Sequence, residues 1–249
     1  MSNPTSILVT GCNGRMGQAV IRAVEAESSA KVGAAIDLGD SLSVGLEQCD
    51  TVIDFTTHGF SDKLVNACRS AGKRLVMGTT GHTAAELENI RSASEEIPIV
   101  LAPNFSVGVN TLFWLARKAT EILGDSFDLE VIEMHHRHKT DAPSGTAKRL
   151  AEILAEASGV DYEEQARHGR VGDTGARTDR EIGVHSMRGG DVVGDHTAIY
   201  ATLGERVELT HKASSRDTFA GGSVRAAVWL ADKTNGIYDM EDVLELRGR

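Results

Sequence analysis

Over the first hundred residues the apolar positions switch repeatedly between two patterns. Residues 6–10 (SILVT) form a short apolar run that ends at glycine, and residues 32–37 (VGAAID) and 51–55 (TVIDF) read the same way. Apolar residues between these runs recur at helical spacing. Met16, Ala19, Val20 and Ala23 mark one helix; Leu64, Val65 and Cys68 mark another, closed by Gly72. Residues 74–77 form a further strand leading into Gly78-Thr79-Thr80-Gly81. A glutamate-rich helix over about residues 83–96 precedes a strand at 99–102. Strands alternating with helices through short connections predict a parallel sheet covered on both faces, an α/β fold of the Rossmann-type, doubly wound class.

After Asn104 the rhythm changes. Residues 107–123 read as one long helix, residues 127–135 as an extended segment, and Ala147, Leu150, Ala151 and Leu154 as the stripe of another helix. Residues 182–212 are rich in β-branched residues and turn glycines, which predicts an antiparallel or mixed sheet. Residues 222–233 read as a last helix. Residues 161–179 are polar and glycine-rich and are expected to form a long mobile loop. The chain therefore divides into a dinucleotide-binding domain over residues 1–105 and an α+β domain from residue 106.

Composition narrows the function. The 249 residues carry a formal net charge of −10, which repels phosphate backbones and argues against nucleic acid as a partner. No apolar run reaches the length of a membrane span. The N-terminus lacks a basic stretch followed by an apolar one, so no signal peptide is expected. The three cysteines, Cys12, Cys49 and Cys68, are scattered and odd in number. They read as reduced thiols of a cytoplasmic protein.

The first strand runs into Gly11-Cys12-Asn13-Gly14-Arg15-Met16-Gly17 and then directly into a helix. Glycines permit a tight turn and close backbone approach to a pyrophosphate, and the helix start offers N–H groups and a favourable dipole. Asp37 ends the second strand 20 residues after Gly17, where a carboxylate should accept the adenosine ribose hydroxyls. That carboxylate repels a 2′-phosphate, and the next residue, Leu38, brings no compensating charge. NADH is therefore the expected cofactor, with NADPH a tolerated second; Arg15 could weaken the preference. Phe55 and Thr56, and Gly78, Thr79 and Thr80, follow strand ends and face the same crevice.

Residues 133–147, EMHHRHKTDAPSGTA, concentrate three histidines, an arginine and a lysine in an acidic chain. Clustered positive charge calls for an anionic partner. If the segment is extended, His135, Arg137 and Lys139 share one face. Pro143 then suits a helix start, and Ser144, Gly145 and Thr146 open that helix as a carboxylate cradle. A small, multiply anionic substrate fits. No metal is expected, because neighbouring histidines on a strand point to opposite faces and a divalent site usually adds Cys or carboxylate ligands.

Taken together, these motifs resemble those of the dihydrodipicolinate reductase family. The resemblance is carried by GCNGRMG (11–17), DFT (54–56), GTTG (78–81), APNFSVGVN (102–110), EMHHRHKTDAPSGTA (133–147) and HKASSRDTFAGGSVRAAVWL (211–230). It implies a homotetramer in which residues 106–215 bind substrate and form the oligomer, while residues 216–249 return to complete the first domain. The implied reaction is nicotinamide-dependent reduction of 4-hydroxy-tetrahydrodipicolinate, through its dehydrated form, to tetrahydrodipicolinate. His135 matches the family's general acid and Lys139 its partner in substrate binding and charge stabilisation. His136 and the backbone of Gly145 and Thr146 match the contacts to the cyclic dicarboxylate, and Ser144 is expected to join them at the helix start. Ala102, Asn104 and Phe105 match the hinge and nicotinamide neighbourhood, and Arg216 the returning hinge. Leu38 departs from the basic residue many members carry after the acid, which puts their dual cofactor tolerance in doubt. The same residues would also serve another reductase of a small carboxylated imine or semialdehyde. A non-catalytic dinucleotide sensor would need only the glycine turn.

Overall fold

The computed structural model describes residues 3–215 and 217–248. The chain forms two compact units: residues 1–107 with 216–249, and residues 108–215.

In the first unit β1 (Thr5–Thr10), β2 (Ala30–Ile36), β3 (Thr51–Asp54), β4 (Arg74–Met77) and β5 (Pro98–Leu101) alternate with α1 (Arg15–Glu25), α2 (Leu42–Glu47), α3 (His58–Ala71) and α4 (Ala84–Ser94). The strands are parallel, and β1 lies between β2 and β3. The chain thus winds one way from β1 and the other way from β3, so its switch point lies beyond the C-terminal ends of these two strands. Buried Leu8, Val52, Leu64, Val65, Leu75, Met77, Ile90 and Ile99 fill the layer between sheet and helices. Each such side chain contributes about 1.5–3 kcal/mol of burial. Local signals set the helix ends. Gly72 closes α3 at φ 62°, a left-handed conformation that favours glycine. A reciprocal capping box between Thr83 and Glu86 opens α4.

In the second unit α5 (Val107–Leu123) leads to β6 (Asp128–His135), α6 (Gly145–Ser158), α7 (Tyr162–Gln165), β7 (Ala166–His168), β8 (Ile182–Arg188), β9 (Gly194–Thr202) and β10 (Glu205–Ala213). Its sheet runs β10-β9-β6-β8-β7 and is mixed: β6 is parallel to β8 and antiparallel to β9. Leu129, Val131, Ile182, Val184, Ala198 and Tyr200 share a core with Val109, Leu112, Ala116, Leu150 and Leu154 of α5 and α6. The Tyr200 hydroxyl, buried with them, donates to the Ala116 carbonyl at 2.8 Å.

The chain then returns to the first unit through α8 (Asp217–Trp229), β11 (Gly236–Tyr238) and α9 (Met240–Val243). Strand β11 adds a sixth strand beside β5. This strand has only three residues, too few for a periodic signal, and the pattern over residues 222–233 did not anticipate it. That pattern also placed the last helix late: α8 starts five residues earlier and ends at Trp229. Arg216 lies outside the described residues.

Two other expectations are corrected. Residues 161–179 are not one long loop. Asp161 caps α7, and β7 pairs with β8. Beyond it, Arg170 and Arg177 are both held by Glu130 of β6, at 2.7 and 3.2 Å. The alternation expected to put His135, Arg137 and Lys139 on one face stops at His135. The chain turns there, with the Lys139 N–H donating to the His136 carbonyl at 3.1 Å.

Candidate active site

In the first unit the glycine turn is built as a backbone cradle. Gly11 sits at φ 62°. A Cβ on Gly17 would collide with the Gly11 carbonyl oxygen, so only glycine lets α1 start this close to the turn. Gly14 caps α1 without a side-chain hydrogen bond. The first N–H groups of α1, from Arg15 and Met16 onward, therefore suit an anion. Asp37 closes the turn: one carboxylate oxygen accepts the Leu38 N–H at 2.7 Å and the other the Asn13 N–H at 2.8 Å. These two bonds hold its carboxyl below the usual range, so it stays charged. Thr10, Gly11, Ile36, Asp37, Leu38, Thr56, Thr57 and Phe60 line a cleft of about 210 Å³.

The residues singled out at the other strand ends also gather here. Thr56 and Thr79 do so in an unforeseen way, because their hydroxyls turn inward. Both donate to Asp54, at 2.8 and 2.6 Å, and Thr10 adds a third bond at 2.6 Å. Asp54 is fully buried and ties together the ends of β1, β3 and β4. Contact between these threonines and a ligand is left to their backbone and methyl groups. Thr80 is exposed beside them. Gly78 must be small because a Cβ would strike the Phe55 ring. That ring meets Phe105 edge-on at 5.6 Å. Ala102 is buried, with its N–H on the Met77 carbonyl, and Asn104 accepts the Ser106 N–H at 2.8 Å.

In the second unit the basic segment surrounds a buried carboxylate. Glu133, on the inward face of β6, is 0% exposed. Its Oε2 lies 2.6 Å from His135 Nδ1. Arg188 of β8 grips both oxygens at 2.9 Å, and the Ser144 N–H donates to Oε1 at 3.2 Å. Burial opposes ionisation of Glu133, but the bonds from Arg188, His135 and Ser186 outweigh it and keep the carboxyl below its usual range. Arg188 also donates to the Asp141 carbonyl at 2.7 Å, which anchors the turn bearing Lys139. Lys139 pairs with the Asp141 carboxylate at 2.8 Å and lowers its pKa.

Ser144 caps α6. Its hydroxyl is buried, accepts the Ala147 N–H and meets His196 Nε2 at 3.1 Å. Gly145 is exposed, and a Cβ there would meet nothing within 4 Å, so the first turn of α6 opens onto free space. His196 is 4% exposed and lies edge-on to His135 at 5.1 Å. Burial, helped by the charge of His135 and opposed by Glu133, pushes its pKa down to about 4. His136 follows directly, its ring 6.3 Å from that of His138. Among the described residues no group of three or more His, Cys, Asp or Glu side chains is placed to hold a metal ion.

Sequence reading gave no separate role to Glu133, Arg188 or His196, and placed Asp54 at the crevice without foreseeing that it would bind three threonine hydroxyls. Glu133 carried a signal, as a charged residue between apolar Ile132 and Met134 at an inward position of a strand pattern. Its partner Arg188 lies 55 residues away.

Residues 5–105 match the family described as Dihydrodipicolinate reductase, N-terminus, and residues 108–244 match Dihydrodipicolinate reductase, C-terminus. The chain belongs to the dihydrodipicolinate reductase family. It is 58% identical to a 4-hydroxy-tetrahydrodipicolinate reductase of Akkermansia muciniphila, over 97% of this chain and 98% of the relative. It is 48% identical to the enzyme of that name from Pseudomonas fluorescens, over 97% and 99%. Among solved structures it resembles a dipicolinate-bound dihydrodipicolinate reductase from Paenisporosarcina sp. TG-14. The TM-score is 0.79 and the identity 25%, over 95% of this chain and 97% of the other.

Proposed function

We propose that this reductase converts 4-hydroxy-tetrahydrodipicolinate, through its dehydrated form, to tetrahydrodipicolinate, with NADH as the preferred reductant. The observation that carries this reading is the Glu133 cluster. One buried carboxylate organises a histidine, the lysine-bearing turn and an open helix start, the groups a cyclic dicarboxylate imine requires. The dipicolinate in the Paenisporosarcina structure is a ligand of that chemistry.

The glycine turn, α1 and Asp37 would hold a nicotinamide dinucleotide; the fit rests on the closeness that Gly17 permits and on the uncapped start of α1. When bound, it supplies the hydride. Hydride addition puts negative charge on the conjugated system of the substrate, and a proton must follow. With Nδ1 held by Glu133, His135 delivers that proton from Nε2, a contribution of roughly 10²–10⁴ in rate. Lys139 exchanges Asp141 for a substrate carboxylate and stabilises the developing charge. His136, Gly145 and Thr146 take the carboxylates at the start of α6. Ser144 supports them from below, as cap.

The cofactor preference follows from Asp37. Its charged carboxylate occupies the place a 2′-phosphate would approach, and the fully exposed Leu38 offers no cation. The deciding experiment is cofactor oxidation by the purified protein with freshly generated 4-hydroxy-tetrahydrodipicolinate, run with NADH and NADPH. Turnover with a higher kcat/KM for NADH is expected. A tenfold preference for NADPH would sink the cofactor assignment, and cofactor binding without turnover would sink the enzymatic one.

The reading extends to a cytoplasmic homotetramer. Cys12, Cys49 and Cys68 are free thiols, as a reducing compartment favours. The sheet of the second unit keeps α5 and α6 on one face. Its strand alternation puts Ile132, Met134, Met187 and Ile199 on the other, with Met187 48% exposed. Burying that face between subunits would form the oligomer. Light scattering at a mass of one chain would exclude it.

A further inference from the structure

The role given to His135 leaves open what holds its imidazole in place. A side chain at the end of a strand, followed at once by a turn, has rotamer freedom to lose, and proton transfer tolerates little misplacement. The surroundings of His135 remove that freedom. Nδ1 is 2.6 Å from Glu133 Oε2. The ring is bounded on one side by His196, edge-on at 5.1 Å. On another it faces Gly194, where a Cβ would come within 2.9 Å of Nε2 and 3.3 Å of His196 Cε1. Glu133 is itself immobilised, since Arg188 grips both of its oxygens. Its other oxygen takes the N–H of Ser144, the residue that caps α6. Arg188 carries the same restraint to the Asp141 carbonyl and so to the turn bearing Lys139.

We propose that Glu133 is the positioning residue of the active site: one oxygen fixes the His135 ring with Nε2 as its working edge, and the other fixes the start of α6 relative to it. This deepens the reading of His135 as proton donor and rests on it. A carboxylate on Nδ1 settles which nitrogen carries the fixed proton, as it does wherever a histidine is oriented by a partner on its far nitrogen. With Nδ1 engaged by Glu133, Nε2 is the nitrogen left to a substrate. The buried ion pair with Arg188 is then understood by what it orients. As a source of stability alone, an apolar pair of similar volume would serve as well.

The test is a double-mutant cycle on kcat with Glu133→Gln and His135→Ala. Glu133→Gln is expected to lower kcat by about tenfold or more with KM for NADH unchanged, and by less than about twofold once His135 is already alanine, because residues acting as a unit are not additive. Equal losses in both backgrounds, or no loss in the first, overturn the proposal. An undiminished kcat in His135→Ala overturns the reading of His135 itself, and the proposal with it. If Glu133→Gln does not fold, Glu133→Gln/Arg188→Met removes the stranded charge together with its partner and is read in the same way. A spectroscopic arm needs no variant. Long-range proton–nitrogen correlations in histidine-labelled wild-type protein should show the His135 proton on Nδ1 when the ring is neutral. A proton on Nε2 with Nδ1 bare overturns the proposal.

Discussion

At the scale of the residue, the two units are governed by what a single atom more or less would do. Gly17 is held to glycine by the Gly11 carbonyl, so Gly17→Ala must push α1 away from the turn. Dinucleotide binding, followed by NADH fluorescence, is expected to weaken at least about tenfold, roughly 1.4 kcal/mol, while binding of dipicolinate is unchanged. Unaltered NADH affinity would show that the turn adjusts. His196 illustrates the cost of burying a titratable ring. It titrates near 6.5 when unfolded and is held down to about 4 in the fold, facing His135, Glu133, His211 and Lys139. Between those values the unfolded chain takes up a proton that the folded chain refuses. Stability is therefore complete above about pH 6.5 and drains as pH falls toward 4, by a total on the order of 3 kcal/mol. His211, also lowered by burial, adds to the slope. Urea midpoints measured from pH 7 to 5 should fall less steeply in His196→Gln than in the wild type; parallel slopes would place the acid sensitivity elsewhere.

At the scale of the element, β6 joins the second unit together through two glutamates of different fate. Glu133 faces inward to the site. Glu130, on the opposite face, gathers His185 at 2.7 Å together with Arg170 and Arg177, and Gly183 beside it has room for no side chain. Those two arginines belong to the segment that reads as a loop. Arg177 also reaches Asp128, and Arg170 also reaches Glu181, whose carboxyl is brought down to about 2, against its burial, by bonds from Arg170 and Thr178. The segment is polar because its contacts are ionic rather than apolar. Glu130→Gln should loosen it: amide exchange over residues 169–181 is expected to rise roughly tenfold, about 1.4 kcal/mol of local opening, with β6 and β9 unaffected. Uniform loss of protection across the sheet would instead make Glu130 a requirement of the whole unit.

At the scale of the molecule, the second unit is one continuous stretch inserted between two parts of the first. If only the first binds dinucleotide, saturating NADH at about 100 times Kd should stabilise its unfolding transition by about 2.7 kcal/mol and leave the transition of residues 108–215 in place. Calorimetry with and without NADH reads this directly; an equal upward shift of both would mean that the units melt together. The division between local and distant causes also explains what could be read in advance. Residues 74–77 and 107–123 were legible as a strand and a helix to the residue, because hydrophobic period and caps act over a few neighbours. The glycine turn and the 133–147 segment were legible for the same reason, being contiguous. The sequence alone therefore determined the strand–helix alternation that opens the first unit, the glycine turn, the basic segment and the family. Only the tertiary structure decided that Asp54 collects three threonine hydroxyls, that residues 169–181 are tied down, and that His135 has a buried partner. A buried charge persists only where opposite charges and donors meet it. For Glu133 these come from Arg188 and Ser144, brought to it by strand pairing and helix packing rather than by proximity in the chain.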